Sequence, residues 1–143
     1  MENRFHLAIP AGNLDKAIKF YCEVLGCERG DAEFKYPDAW ADINFWGNEL
    51  TLHATDPNHK IISERHNVDM GNVTVPHFGV HLDAITFKNL KQRLIDKNIK
   101  FIDPPYIRFK GEDIEQETMF LADPNGNCME IKTMKNPNTL FKK

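Results

Sequence analysis

The sequence predicts an α+β fold in which a module of strand, helix, short strand and hairpin occurs twice. Apolar strands that carry a histidine occur around His6 and around His77. A stretch with helical spacing of apolar residues follows each of them, and each half ends in a predicted hairpin. Internal repetition supports a fold more strongly than any single strand does.

Length and composition predict a single domain. The chain has 143 residues, of which 41% are hydrophobic and 27% are charged, within the ordinary globular range. The domain is expected to span 1–143. Its modules are predicted at about 1–56 and 75–134, with a loop at 55–75 and a C-terminal tail at 134–143.

Charge and cysteine usage exclude several classes of protein. The net charge of −3 has mixed signs, so no basic patch predicts binding to nucleic acid. No apolar run approaches the roughly 18 residues of a membrane helix, and the N-terminus lacks the apolar stretch of a signal peptide. Three cysteines without a CxxC pair argue against a disulfide framework. These features predict a cytoplasmic protein without a membrane or nucleic-acid partner.

In the first half, a strand is predicted over 4–10, ending at Pro10. Asn13 is expected to cap a helix that Gly26 ends as a C′ glycine. Residues 41–54 alternate around a Gly-Asn turn and are predicted to form a hairpin. The polar, irregular stretch that follows is the predicted long loop.

The second half repeats this order with a strand over 77–82. Thr86 is expected to cap the second helix, which ends near Asn98, and a short strand over 100–102 leads into a Pro-Pro loop. The closing hairpin turns at Asp-Pro-Asn-Gly, with strands predicted over 116–122 and 127–133.

Glu130 suggests the chemistry of the protein. It lies in a short strand among apolar neighbours, where a carboxylate is costly to bury without a cation or strong donors. His6 and His77 lie on two other predicted strands. Two imidazoles and one carboxylate form the ligand set of a non-haem divalent metal site with open positions. We therefore predict His6, His77 and Glu130 as metal ligands.

His53 is a fourth candidate because of the repeat. His6 and His77 lie near the starts of the first strands, 71 positions apart, and His53 and Glu130 lie on the last strands, 77 apart. If the halves pack about a pseudo-twofold axis, all four side chains can converge. His53 is predicted to contact the substrate, to act as an acid–base group or to be a fourth ligand, because imidazole titrates near neutral pH.

The chain resembles the vicinal oxygen chelate superfamily, which includes glyoxalase I, type I extradiol dioxygenases and bleomycin- or fosfomycin-resistance proteins. The resemblance covers about 4–133. The segments that carry it are FHLAI, LDKAIKFY with VLGC, VPHFGV and FLADPNGNCME.

This resemblance implies paired βαβββ modules that form a U-shaped mixed sheet around one metal. The ligand positions of the extradiol dioxygenases match His6, His77 and Glu130. A place that holds a ligand glutamate in many glyoxalase I enzymes matches His53 here, which departs from the glyoxalase pattern. The resemblance is to small predicted extradiol-type members, and the family pattern together with open sheet edges suggests a homodimer.

Arg108 lies in a predicted loop that could fold over the mouth of the site. An arginine there could hold a substrate carboxylate through two hydrogen bonds. The alternative is a surface ion pair with the neighbouring acidic residues Glu112, Asp113 and Glu115. His81 is interpreted as a solvated or structural histidine.

Three classes of function remain open. The first is an Fe(II) extradiol-type dioxygenase on a small substrate that chelates through neighbouring oxygens. The second is a glyoxalase-I-like isomerase or lyase using Zn(II), Ni(II) or Mn(II). The third is a non-catalytic, resistance-type protein that binds a small molecule, which the ligand set disfavours because sequestration needs no metal.

Overall fold

The computed structural model describes residues 2–68 and 71–142, which form two compact units. The first unit comprises Met1–Ile62 and Asp123–Asn127, and the second comprises Ser63–Ala122 and Cys128–Lys143. No helix in the described part of the chain is long and apolar enough to cross a membrane.

The predicted repeat of βαβββ-like modules is confirmed. The first module consists of β1 (His6–Gly12), α1 (Leu14–Lys19), β2 (Glu28–Glu33), β3 (Trp40–Phe45) and β4 (Asn48–Ala54). Strands β5 (Glu64–Val68) and β6 (Gly71–Val75) follow the first module. The second module consists of β7 (Phe78–His81), α2 (Ala84–Asp96), β8 (Asp103–Arg108), β9 (Gln116–Ala122) and β10 (Cys128–Met134). Their sheets have the same topology, β1-β4-β3-β2 and β7-β10-β9-β8, and in each the first and last strands of the module pair in parallel.

Both helices begin at a side-chain cap. The side chain of Asn13 accepts from the amide of Lys16 at 3.0 Å, as predicted. A π-helical turn, Phe20–Val24, extends α1, and Gly26 follows with a φ of 80°. The predicted cap of α2 is wrong by three residues, because the carboxylate of Asp83 accepts from the amide of Thr86 at 2.8 Å.

Three other predictions of local structure are wrong. β1 continues through Pro10, and β8 covers the predicted Pro-Pro loop instead of 100–102. Both are edge strands of their sheets, where a residue without an amide hydrogen is tolerated. The predicted loop at 55–75 contains the hairpin of β5 (Glu64–Val68) and β6 (Gly71–Val75). The side chains of β5 are exposed, so the segment lacked the buried alternation by which a strand is recognised.

In each unit one face of the sheet packs against the helix. In the first unit Leu50 and Leu52 on β4 are buried, as is Ala17 on α1. In the second unit Met129 and Ile131 on β10 are buried, together with apolar residues of α2. Because side chains alternate along a strand, Thr51 and Glu130 point to the opposite face of their sheets. The candidate functional residues lie on these opposite faces.

The Asp-Pro-Asn-Gly turn contains a network of hydrogen bonds around a buried carboxylate. Asp123 is buried and its two carboxylate oxygens accept four hydrogen bonds, from the amides of Asn125 and Asn127, the side chain of Asn127 and the hydroxyl of Tyr21. The side chains of both asparagines also donate to the carbonyl of Pro10 at 2.8 Å. The turn is thus a fully satisfied polar network in the first unit.

The cap of α2 gives a pH-dependent prediction. The amide and hydroxyl of Thr86 donate to Asp83, and these hydrogen bonds hold the pKa of Asp83 below its ordinary value of 3.8. Because this pKa is lowered on folding, the stabilisation by the carboxylate is present above pH 3.8 and is lost as the pH falls through the lowered value. Asp83→Asn keeps a capping side chain that does not titrate. We expect the wild type to have the higher melting temperature near neutral pH, and the difference to vanish in acid; a difference constant with pH would contradict this assignment.

Candidate metal and substrate site

The structure brings His77 and Glu130 together in the second unit. Glu130 lies in the middle of β10, and His77 immediately precedes β7, the parallel neighbour of that strand. Nε2 of His77 lies 3.3 Å from Oε1 of Glu130. Two atoms that each bind one cation at about 2.1 Å, at 90–110° to each other, lie roughly 3.0–3.4 Å apart. The pair therefore has the spacing of adjacent metal ligands.

The other nitrogen of His77 is already engaged. Nδ1 lies 2.6 Å from the carbonyl oxygen of Thr74, which can only accept, so Nδ1 carries the hydrogen. The ring also packs edge-to-face against buried Phe120, with centroids 5.2 Å apart. This fixes the ring with Nε2 towards Glu130, an arrangement typical of metal-binding histidines.

The carboxylate of Glu130 stays ionised although it is buried. Burial alone would raise its pKa, but hydrogen bonds with His77 and Thr118 and the charge of Lys132 outweigh this effect and hold the pKa at about 2. The hydroxyl of Thr118 donates to Oε2 at 2.6 Å. The hydrogen bond with Glu130 in turn raises the pKa of His77, because the carboxylate stabilises the protonated imidazole. A divalent cation could replace the shared proton.

A pocket of about 240 Å³ opens beside this pair, within the second unit. Its residues come from two adjacent strands and the residue that precedes one of them: His77, Phe78, Gly79, Val80, His81, Glu130 and Lys132. A Cβ at Gly79 would collide with the carbonyl oxygen of Glu130, so only glycine fits beside the acid in this ladder. Burial and the charge of Lys132 lower the pKa of His81.

His6 lies in the first unit and has a carboxylate partner. It begins β1, and its Nδ1 lies 2.6 Å from Oε1 of Glu49 on β4. Both side chains are more than half exposed. As in His77, the contact at Nδ1 leaves Nε2 available to a further partner.

The strand registers do not confirm that His53 and Glu130 hold equivalent places. On β10, Glu130 pairs with Gly79, two residues after His77. On β4 the corresponding residue is Thr51, because Thr51 pairs with Ala8, two residues after His6. His53 pairs with Pro10 and so corresponds to Lys132, which pairs with His81.

His53 is exposed and lies beside Trp40 in the ladder of β3 and β4. On β4, His53 lies four residues from Glu49, the partner of His6. Four residues of strand span about 13 Å. Nitrogens that bind one ion lie only about 3 Å apart. The register therefore argues against His6 and His53 as ligands of the same ion, and the predictions of His53 as a substrate contact or an acid–base group remain.

Arg108 ends strand β8 and does not lie in a loop. It pairs with Gln116, on the face of the sheet that carries Glu130. Its guanidinium carbon lies 5.0 Å from the ring centre of Phe109, and Nε is buried without a hydrogen-bond partner. The alternative ion pair with the acidic residues that follow is not formed among the described residues.

Within the described part of each unit, no group of three histidine, cysteine, aspartate or glutamate side chains is arranged to hold a metal ion. The triad His6, His77 and Glu130 takes residues from both units, so it stays a prediction, of which the second unit assembles two members. Sequence reasoning missed Thr118 and Lys132. Strand alternation could have identified Lys132, two residues after Glu130, whereas only the register of β9 reveals Thr118.

These observations define a class of protein with two βαβββ modules and a histidine–carboxylate pair on an open sheet face. Residues 4–131 match the sequence model of the glyoxalase/bleomycin resistance protein/dioxygenase superfamily. The chain belongs to this superfamily.

Solved structures agree with this assignment. A glyoxalase/bleomycin resistance protein/dioxygenase from Alicyclobacillus acidocaldarius is 33% identical, with a TM-score of 0.73 over 97% of this chain and 96% of that one. A domain of the same description from Frankia sp. is 14% identical, with a TM-score of 0.67 over 94% and 99% of the two chains. A fosfomycin resistance protein from Listeria monocytogenes is 11% identical, with a TM-score of 0.63 over 93% of each chain. The last two show the fold alone. None of the curated proteins matches the chain.

Proposed function

We propose that the protein is a metal-dependent enzyme of the vicinal oxygen chelate type, an Fe(II) extradiol-type dioxygenase acting on a small molecule with two neighbouring oxygens. One observation carries the proposal: Nε2 of His77 and Oε1 of Glu130 are 3.3 Å apart while Nδ1 of His77 is engaged by Thr74. A buried carboxylate held ionised beside an oriented imidazole is suited to a divalent cation.

His6 is the proposed third ligand. Its Nδ1 is engaged by Glu49, which leaves Nε2 as the ligating atom, in parallel with His77. Two histidines and one carboxylate would hold the ion and leave coordination positions open for the reactants. Fe(II) is the proposed metal, and Zn(II), Ni(II) or Mn(II) would accompany a glyoxalase-like reaction.

Other residues of the chain have separate proposed roles in the reaction. When bound, the iron supplies a site where a chelating diol and dioxygen meet and where negative charge on oxygen is stabilised. Thr118 holds the carboxylate of Glu130 in place through a 2.6 Å hydrogen bond. His53 is proposed to exchange a proton with the substrate. Arg108 is proposed to bind a substrate carboxylate, which the unpaired state of its buried Nε supports.

Anaerobic loading with Fe(II), followed by oxygen-uptake measurements with a small panel of diols, tests the proposal. We expect oxygen consumption to depend on both iron and diol. The variant His53→Ala should consume oxygen more slowly while it still binds iron. An acid–base residue contributes roughly 10²–10⁴-fold to a rate, which sets the size of the decrease.

Two other results would favour a different function for the protein. Turnover of 2-oxoaldehyde adducts with Zn(II), Ni(II) or Mn(II) and without oxygen would favour the glyoxalase-like lyase. Tight binding of a small molecule by metal-free protein, without turnover, would favour the resistance-type protein.

We also propose a homodimer in the cytoplasm, with a small-molecule substrate and no nucleic-acid or membrane partner. Light scattering of the purified protein measures the dimer directly, since the chain has a mass of 16.5 kDa. A mass that stays at that value across concentrations would contradict the dimer.

A further inference from the structure

The pocket beside His77 and Glu130 has a second, cationic end. Lys132 lies two residues after Glu130 on β10 and so points to the same face. Its ladder partner on β7 is His81, whereas the partner of Glu130 is Gly79, which has no side chain. The side of Glu130 that faces β7 is therefore open to a ligand.

Lys132 has unused capacity to bind an anion. Its side chain is only 25% exposed, and its single ion pair among the described residues is a long one, with Nζ 3.7 Å from Oε1 of Glu130. The structure gives its ammonium group no hydrogen bond within that part of the chain. An ammonium group has three donors, and a half-buried one without acceptors is unfavourable.

A cation bound at Glu130 would reduce the negative charge that balances Lys132. The carboxylate would share its charge with the metal, so Lys132 would lose most of its counter-charge. Atoms bound next to Glu130 on the same ion would lie about 3 Å from Oε1. Nζ of Lys132, 3.7 Å from that oxygen, could then contact an oxygen of the substrate that is bound to the ion.

We propose that Lys132 binds a negatively charged oxygen of the chelating substrate, so that the site selects substrates in which one of the two metal-binding oxygens belongs to a carboxylate or another anionic group. This inference rests on the proposed function, because the substrate is placed by the metal. It adds that one of the metal-binding oxygens is anionic and that Lys132 recognises this oxygen. A charge-assisted hydrogen bond of this kind discriminates strongly against a neutral analogue.

Salicylate and salicylamide are suitable probes because they have nearly the same shape and differ in one anionic oxygen. Zn(II) replaces iron in the test, since it has no redox chemistry. Calorimetry first measures the affinity of each variant for Zn(II) and then the affinities of the loaded protein for the two probes. Salicylate chelates better even in water, so the informative quantity is the change in the ratio of the two affinities on substitution.

We expect Lys132→Gln to reduce the preference for salicylate by about tenfold, the effect of one hydrogen bond between charged groups in a partly exposed pocket. Lys132→Arg should retain the preference because it keeps the charge. Lys135→Gln should also retain it, because Lys135 is an exposed lysine three residues further on. The preference of the wild type should fall as salt is added.

The outcomes separate the two proposals. If the wild type binds Zn(II) and Lys132→Gln leaves the probe ratio unchanged, the inference is wrong and the proposed function stands. The inference is also wrong if Lys132→Gln weakens Zn(II) and both probes equally, because Lys132 would then only position Glu130. If the wild type binds no divalent metal, the proposed function fails and the inference fails with it.

Discussion

Glu130→Gln is expected to remove the metal and the activity together. Glutamine keeps the shape of the side chain and can still accept from the hydroxyl of Thr118, but its neutral amide is a poor ligand. Loss of a partner outside the ligand set typically costs 10–100-fold in metal affinity, so loss of a ligand should cost more than about a hundredfold. Titration with a divalent metal under anaerobic conditions measures this directly.

The histidines provide matched comparisons for this experiment. His77→Ala should have an effect on metal affinity similar to that of Glu130→Gln, because the two side chains have the spacing of adjacent ligands. His66→Ala is the control, since His66 is an exposed histidine on β5 of the same unit. Full metal occupancy in both Glu130→Gln and His77→Ala would refute the proposed triad. An effect of His6→Ala equal to that of His77→Ala would place His6 in it.

Asp123→Ala is expected to cause a large loss of stability although Asp123 lies outside the proposed metal site. The change removes a buried acceptor of four hydrogen bonds and leaves the hydroxyl of Tyr21 and two backbone amides without a partner. Each unpaired buried donor costs about 1–3 kcal/mol, so we expect the free energy of unfolding to fall by about 3 kcal/mol. Both tryptophans, Trp40 and Trp46, lie in the first unit, so their fluorescence during denaturation reports its unfolding.

The chain contains its own control for Asp123. Asp56 begins the same Asp-Pro-Asn sequence, and its carboxylate accepts from the amide of Asn58 at 2.9 Å, but it is half exposed. Asp56→Ala should therefore change stability by less than about 0.5 kcal/mol. Tyr21→Phe removes a single donor to the network and should cost about 1.5 kcal/mol. Equal effects of Asp123→Ala and Asp56→Ala would show that the turn is not a structural anchor.

Much of this fold was predictable because its elements have local causes. Asn13 marks the start of the first helix through its side-chain cap, and Gly26 follows the π-helical turn that extends this helix, with a positive φ that favours glycine. Alternation predicted the hairpin of β3 and β4, and the Asp-Pro-Asn-Gly turn predicted that of β9 and β10. The hairpin of β5 and β6 was not predictable in this way. It is held by contacts distant in sequence, such as the paired hydrogen bonds from Arg65 to the carboxylate of Asp103.

The sequence by itself predicted the two modules and identified His77 and Glu130 as candidate ligands, because hydrophobic periodicity and an acidic residue in an apolar strand are local signals. Only the tertiary structure decided which residues surround that pair. Strand register placed Thr118 beside Glu130 and made Thr51, rather than His53, the residue equivalent to Glu130. Register depends on the packing of whole strands, and a shift of one residue moves every side chain to the other face, so no short segment of sequence specifies it.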